Sequence, residues 1–173
     1  MSQDPGGRPD STDDEAPGSS GDAVRLRRLL QELVRGFGFL ASDRTPCGQP
    51  VSPSYAHALT ILLERTRLGK ATSQAELGAT LGIDKSNVAR LCARMEAAGH
   101  VVQKRPDEDR RSRLLELTRK GSALALRIDE SSRARFSALI EGVPGEKRPL
   151  LLDCLADLNT AVRALHTDEE QDP

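Results

Sequence analysis

The sequence predicts a mainly α-helical protein, and three observations support that prediction. The 173 residues fit one domain of ordinary size, which leaves little room for a large barrel or a two-domain enzyme. Only four residues are aromatic and none is Trp, so the core must be built from aliphatic side chains, which is typical of packed helices. Apolar residues recur with helical spacing along most of the chain, and one short stretch alternates as a β-hairpin does.

The N-terminal region divides into an arm and a helix. Residues 1 to 21 contain mostly Gly, Pro, Ser and Asp, so we expect a disordered acidic arm that cannot bury enough apolar surface to fold. Order is expected to begin at Asp22, a candidate N-cap. Six apolar side chains then follow on one helical face: Leu26, Leu29, Leu30, Leu33, Val34 and Phe37. We interpret residues 22 to 50 as a dimerisation helix and a loop.

Capping signals mark the next three helices. A second helix is predicted to start after Ser52 and to stop near Gly69. Ser73 and Glu76 match a capping box, in which a hydroxyl and a carboxylate each satisfy an amide left free at a helix start. Asp84 caps another helix shortly afterwards. Two short helices joined by a four-residue turn with a Gly at the corner have the layout of a helix-turn-helix.

A β-hairpin is predicted to follow the helix-turn-helix. From Val101 onward the apolar period changes from 3.6 towards 2, and it resumes around Leu115 after a tip at residues 106 to 111 that is almost wholly charged. A helix-turn-helix followed by such a hairpin indicates a winged helix. We assign residues 51 to 121 to this winged helix-turn-helix region, in which the short hairpin is the wing.

The C-terminal region supplies a second dimerisation element. Residues 122 to 166 are predicted to form a long linking helix and a C-terminal dimerisation helix, before an acidic tail at residues 167 to 173. Apolar residues of the last helix recur in steps of four and three: Leu151, Leu155, Leu158, Val162 and Leu165. Because apolar helices at both ends need a covering surface, we expect a homodimer. The alternative is that both helices pack within one subunit.

Basic residues are concentrated in the winged helix. From Lys85 to Lys120 the sequence has ten Lys or Arg and five Asp or Glu, which is typical of a surface that binds polyanions and points to double-stranded DNA as the partner. Residues able to contact bases share the face opposite the apolar stripe of the second short helix: Lys85, Ser86, Asn87, Arg90 and Arg94. The alternative is that they are solvated charges on an amphipathic helix.

The hairpin tip offers a second DNA contact. Arg110 and Arg111 lie beside two acids, and the carboxylate of Asp109 can brace a guanidinium that extends into a narrow minor groove. The alternative is a charged loop that only keeps the protein in solution.

Two segments of the chain together resemble a known family. The run SQAELGATLGIDKSNVARLCARMEAAGHVVQKR and the following PDEDRRSRLLELTRKG are similar to the winged helix of MarR-type bacterial transcription regulators. The resemblance is dense over residues 73 to 121 and extends to the flanking helices by layout only. Its most specific motif combines Asp109 and Arg111 with Leu117, Thr118 and Gly121.

The resemblance implies specific roles. It implies a homodimer that binds a pseudo-palindrome, with Arg111 as the wing residue in the minor groove, braced by Asp109. Four residues would fall on the recognition helix: Ser86, Asn87, Arg90 and Arg94. Members of this family are most often repressors, released when a small-molecule effector enters the crevice between the dimerisation helices and the winged helix. The alternative class is a winged-helix module that binds a protein partner.

No pattern in the sequence indicates catalysis, so we expect no enzyme, cofactor or metal site. The three histidines fall on different elements without a ligand at helical spacing. Cys92 and Cys154 are expected to act as small hydrophobic residues. Cys47 lies in a loop near Arg44, so an exposed, oxidisable thiol and a redox-sensing regulator are a further alternative. No apolar stretch is long enough to cross a bilayer, so we expect a cytoplasmic protein without a membrane partner.

Overall fold

The computed structural model describes residues 20–40, 44–104 and 113–169, and the chain divides into two units, Met1–Ala41 and Ser42–Pro173. Helix α1 of the first unit spans Ser20–Phe37. It begins two residues before Asp22, so the prediction of Asp22 as its N-cap is wrong, and Asp22 lies in its first turn. An acidic side chain there still interacts favourably with the positive end of the helix dipole. The expected arm, apart from the first turn of α1, lies outside the described residues.

The second unit contains the winged helix and the C-terminal helices. Its elements in chain order are α2 (Pro53–Arg67), α3 (Gln74–Leu81), α4 (Lys85–Ala97), β1 (Val101–Lys104), β2 (Leu114–Leu117), α5 (Arg119–Glu141), a 3₁₀ turn (Gly145–Lys147) and α6 (Arg148–Glu169). Strands β1 and β2 pair antiparallel, with Val101 opposite Leu117 and Lys104 opposite Leu114. The mainly α fold with a hairpin wing is therefore confirmed.

Helices α3 and α4 start at the residues that the capping signals predict. The Ser73 Oγ accepts from the Glu76 amide at 3.2 Å, and the Glu76 carboxylate accepts from the Ser73 amide at 2.7 Å. Gly82 adopts φ +62°, a conformation that glycine tolerates without strain, and ends α3. The Asp84 carboxylate accepts from the amides of Ser86 and Asn87 and starts α4. Both capping predictions are confirmed.

The core of the second unit lies where α2, α3, α4, the wing and α5 meet. The largest side chains with almost no exposed surface are Leu59, Leu62, Leu77, Met95, Val101 and Cys92. Each such aliphatic side chain contributes roughly 1.5–3 kcal/mol by leaving water. The segment before α3 adds to this core by pairing with the wing, since the Leu115 amide donates to the Thr72 carbonyl at 2.8 Å. This pairing was not predicted from the sequence.

Several apolar helical faces stay exposed in a single chain. On α1, Leu26, Leu29, Leu30, Leu33 and Val34 are between 39% and 48% exposed. On α6, residues of the predicted seam are exposed too, from Leu151 at 36% to Leu165 at 65%. Cys154 is also exposed on this helix, so the expectation that it packs as a small hydrophobic residue is not met within one chain. In the described ranges, no helix has the length and apolar character needed to cross a membrane.

Candidate DNA-binding site

Helix α4 has a buried face and an exposed face. Its buried residues are Val88, Leu91, Cys92 and Met95, as the apolar stripe predicts. Burial raises the pKa of the Cys92 thiol to about 11, with a further contribution from Glu96, so this cysteine stays protonated at neutral pH. The predicted base-contacting residues are all exposed: Lys85, Ser86, Asn87, Arg90 and Arg94. The helix therefore presents them together, away from the core.

Small residues separate the polar side chains on the exposed face of α4. Ala89 and Ala93 are exposed there, and neither extends beyond a methyl group. Because the face lacks bulky apolar side chains at these positions, the helix backbone can approach a groove closely. Such a face has the shape that a recognition helix needs in the major groove.

A chain of side-chain hydrogen bonds runs from the N-cap of α4 into its second turn. The Asp84 carboxylate accepts from the Asn87 Nδ2, and the Asn87 Oδ1 accepts from the Arg90 Nη2. The hydrogen bond from the backbone N–H of Asn87 has the largest effect on the pKa of Asp84, and the bond from the Ser86 hydroxyl has the next largest. Both hold this pKa below its usual range. Asp84 is therefore ionised at neutral pH and can orient the Asn87 side chain.

Near the C-terminal end of α4, Arg94 contacts an aromatic side chain. Its guanidinium lies over the ring of Tyr55, 6.0 Å from the ring centroid, which is the geometry of a cation–π contact. The Tyr55 hydroxyl lies 2.7 Å from Nδ1 of His100, and the two rings meet edge to face. Burial raises the pKa of Tyr55, against a smaller opposing effect of the Arg94 charge.

His100 occupies the turn between α4 and the wing. Burial lowers the pKa of His100, and the charges of Lys120 and Arg127 lower it further. The imidazole is therefore mainly neutral at pH 7. The contact of Tyr55 with His100 and Arg94 was not predicted from the sequence. The one available signal was that Tyr55 precedes Leu59 by four residues, so both lie on the same face of α2.

Hydrogen bonds join both the wing and the start of α5 to the end of α4, and an ion pair links the two strands of the wing. The Glu96 carboxylate accepts two hydrogen bonds from Gln103, one from the backbone N–H at 3.1 Å and one from the side-chain Nε2 at 2.9 Å. The Lys120 Nζ donates to the carbonyl of Ala98 at 2.8 Å. Within the wing, Lys104 and Glu116 form an ion pair of 2.7 Å. The base of the wing is thus fixed relative to the exposed face of α4.

Asp109, Arg110 and Arg111 lie outside the described residues, between the ends of β1 and β2. Their proposed contact with a minor groove stays a prediction. Strands β1 and β2 lie in the stretches around Val101 and Leu115, where the alternating apolar pattern predicts them.

Cys47 differs from the expectation of an exposed thiol. It is half-buried, and its Sγ lies 3.1 Å from the Oγ1 of Thr45, which is itself buried. Gln49 from the same loop donates from Nε2 to the Ser131 Oγ of α5 at 2.9 Å. The loop is therefore packed against the fold. Redox sensing through Cys47 stays a prediction, which operator affinity before and after peroxide in the wild type and a Cys47→Ser variant would test.

Comparisons with known proteins agree with this geometry. Residues 50–112 match the model of the MarR family. Over 115 residues the chain is 30% identical to YdgJ of Bacillus subtilis (strain 168), an uncharacterised HTH-type transcriptional regulator; the match spans 65% of this chain and 66% of YdgJ.

Two solved structures share the fold. The transcriptional repressor CouR, bound to a 23-mer DNA duplex, has a TM-score of 0.62 and 27% identity, over 79% of this chain and 91% of that chain. NadR in complex with 4-hydroxyphenylacetate has a TM-score of 0.57 and 25% identity, over 83% and 95% of the two chains. The family match, the winged helix and these relatives together show that the chain belongs to the MarR family.

Proposed function

We propose that this protein is a sequence-specific transcriptional regulator that binds a pseudo-palindromic DNA operator as a homodimer in the cytoplasm. One observation carries the proposal: α4 presents five exposed polar or basic side chains, which are Lys85, Ser86, Asn87, Arg90 and Arg94. Asn and Arg side chains can form paired hydrogen bonds with the edges of adenine and guanine in the major groove. The adjoining wing supplies a second basic element for the phosphate backbone or the minor groove.

Exposed apolar faces support the homodimer. Soluble chains rarely leave a large apolar patch uncovered, and both α1 and α6 carry rows of exposed aliphatic side chains. A twofold interface would cover them and duplicate α4, with two recognition helices about 34 Å apart, one turn of B-DNA. A symmetric protein of this kind requires a symmetric binding site, which is why we propose a pseudo-palindrome.

We further propose that the protein is a repressor under the control of a small-molecule effector. CouR is a transcriptional repressor, and NadR was crystallised with 4-hydroxyphenylacetate, which supports both parts by similarity. In this chain a recess of about 570 Å³ lies beside Tyr55, Arg94 and His100. This volume is within the range of small-ligand pockets. An effector would act by favouring a dimer conformation that does not fit the operator.

Selection of bound sequences from random duplex DNA tests the proposed function. The wild type should enrich a pseudo-palindrome whose half-sites are centred about 10 base pairs apart. Lys147→Ala, which removes an exposed charge from the 3₁₀ turn, is the matched control and should enrich the same sequence. Failure of the wild type to enrich any sequence would contradict DNA recognition. Retained binding of a protein partner by Arg90→Ala and Arg111→Ala variants would then favour an interaction module.

A further inference from the structure

The side chain of Asn87 is engaged at both of its polar atoms. Its Nδ2 donates to the Asp84 carboxylate, and its Oδ1 accepts from the guanidinium of Arg90. A two-bond contact with an adenine edge uses the same Nδ2 and Oδ1 atoms. Adenine recognition by Asn87 therefore competes with its bonds to Asp84 and Arg90, whereas guanine recognition by Arg90 does not.

Asp84 is fixed at the other end of this chain of bonds. One of its carboxylate oxygens accepts hydrogen bonds from the backbone N–H groups of Ser86 and Asn87 and from the Ser86 hydroxyl, all at 2.8 Å. The other oxygen accepts from Asn87 Nδ2. The fixed carboxylate of Asp84 thus sets the orientation of the Asn87 side-chain amide, whose oxygen points toward Arg90.

Arg90 keeps free donors after it bonds to Asn87. A guanidinium has five N–H groups, and the bond to the Asn87 Oδ1 involves only the Nη2 group. Guanine presents two acceptors, O6 and N7, in the major groove, and a guanidinium can reach both at once. An Arg side chain that is already ordered loses less conformational entropy when it makes this contact.

We propose that Asn87 is a positioning residue, which together with Asp84 orders Arg90 for the recognition of one guanine in each half-site. This inference rests on the proposed function and revises one part of it, since Asn87 was expected to contact a base itself. Under this account the half-site contains a guanine opposite Arg90 and no adenine that depends on Asn87. Asp84 then has two roles, as the N-cap of α4 and as the anchor of the Asn87 amide.

Affinities for the selected duplex test this inference in a double-mutant cycle. Arg90→Ala should weaken binding by the dimer roughly thirtyfold or more, because one paired base contact is lost in each of the two half-sites. Asn87→Ala should weaken binding about fivefold, because the Arg90 side chain is then no longer positioned and must be ordered when the protein binds DNA. In the Arg90→Ala background, the added Asn87→Ala change should alter affinity less than twofold, because there is no longer an Arg to position.

Asp84→Asn separates positioning from folding. Asn is as good an N-cap as Asp, so α4 should keep its start and the thermal unfolding midpoint should stay near that of the wild type. Asn at position 84, however, presents one amide nitrogen in place of a carboxylate oxygen and cannot hold both the cap and the Asn87 Nδ2. The variant should therefore lose affinity as Asn87→Ala does, with a weakened preference for the guanine that Arg90 recognises.

The outcomes are distinct. Non-additive effects of Asn87→Ala and Arg90→Ala, with a preference weakened at the same guanine in both variants and no adenine preference lost in Asn87→Ala, support the inference. Additive effects, with an adenine preference lost only in Asn87→Ala, would overturn it and leave the proposed function intact. A wild type that enriches no sequence would overturn both. Lys147→Ala is the control throughout and should bind within twofold of the wild type.

Discussion

Replacing Gly121 by Ala should destabilise the winged helix, because this glycine lies against the backbone of another segment. Gly121 is buried in the first turn of α5, and a Cβ built on it would lie 1.9 Å from the carbonyl oxygen of His100. Ordinary contacts of this kind begin at 3.4 Å, so the two segments would have to separate by about 1.5 Å. A rigid helix start and a hydrogen-bonded turn cannot both keep their positions.

The contacts near Gly121 set the expected cost. The His100 carbonyl accepts from the Thr118 amide at 3.0 Å, and the Thr118 Oγ1 accepts from the Gly121 amide at 3.0 Å. Overpacking typically costs about 1–3 kcal/mol, and weakening an N-cap costs about 1 kcal/mol. Ala is favoured over Gly inside a helix by about 1 kcal/mol, which offsets part of this cost. We expect Gly121→Ala to lower the free energy of unfolding by about 2 kcal/mol.

Urea and thermal unfolding measure this effect when both proteins are compared at the same concentration. The expected loss corresponds to a midpoint lower by roughly 5 °C. Gly142→Ala is the matched control, because Gly142 caps the other end of α5 with φ −70° and a Cβ there has its nearest neighbour at 3.4 Å. Its stability should be unchanged or slightly higher. Equal stability of the Gly121→Ala and Gly142→Ala proteins would refute the close-approach argument.

Three further predictions concern the dimer, the wing and pH. Leu30→Glu in the apolar face of α1 should shift the protein from dimer to monomer in sedimentation, whereas Arg28→Ala, which changes an exposed charge on the same helix, should not. Glu96→Ala removes two hydrogen bonds to Gln103, so the backbone N–H of Gln103 should exchange its hydrogen with solvent about tenfold faster. An unchanged exchange rate would mean that Glu96 does not hold the wing. The pKa of His100 is lowered in the folded protein, so the unfolded state binds a proton more readily. The free energy of unfolding should therefore be highest above about pH 6.5 and fall as the pH drops below that value. A His100→Asn variant should show a flatter pH dependence, and a pH profile identical to that of the wild type would contradict this prediction.

Much of the winged helix could be predicted because its signals are local. The capping box at Ser73 and the cap at Asp84 depend on residues within one helical turn, and both occur as predicted. The buried stripe of α4 follows directly from the spacing of its apolar residues. Alternation around Val101 and Leu115 was enough to predict the two wing strands.

Contacts between distant segments could not be predicted from the sequence. The hydrogen bond between Tyr55 and His100 joins residues 45 positions apart, and periodicity carries no information on such pairs. The Asn87 side chain could be assigned to the exposed face of α4, but its bonds to Asp84 and Arg90 depend on rotamers. The start of α1 was missed by two residues, because amphipathic spacing marks a helix face better than its first residue.

The affinity of Arg90→Ala for the selected duplex shows whether the exposed face of α4 recognises DNA. Titrations of fluorescently labelled duplex would compare the wild type, Arg90→Ala and the Lys147→Ala control, with salt varied in each. We predict that Arg90→Ala binds at least about tenfold more weakly while Lys147→Ala matches the wild type. The wild-type affinity should fall with salt at a log–log slope near −7, as expected for about eight phosphate contacts. Equal binding by Arg90→Ala and the wild type, with a slope between about 0 and −2, would contradict DNA recognition by the exposed face of α4.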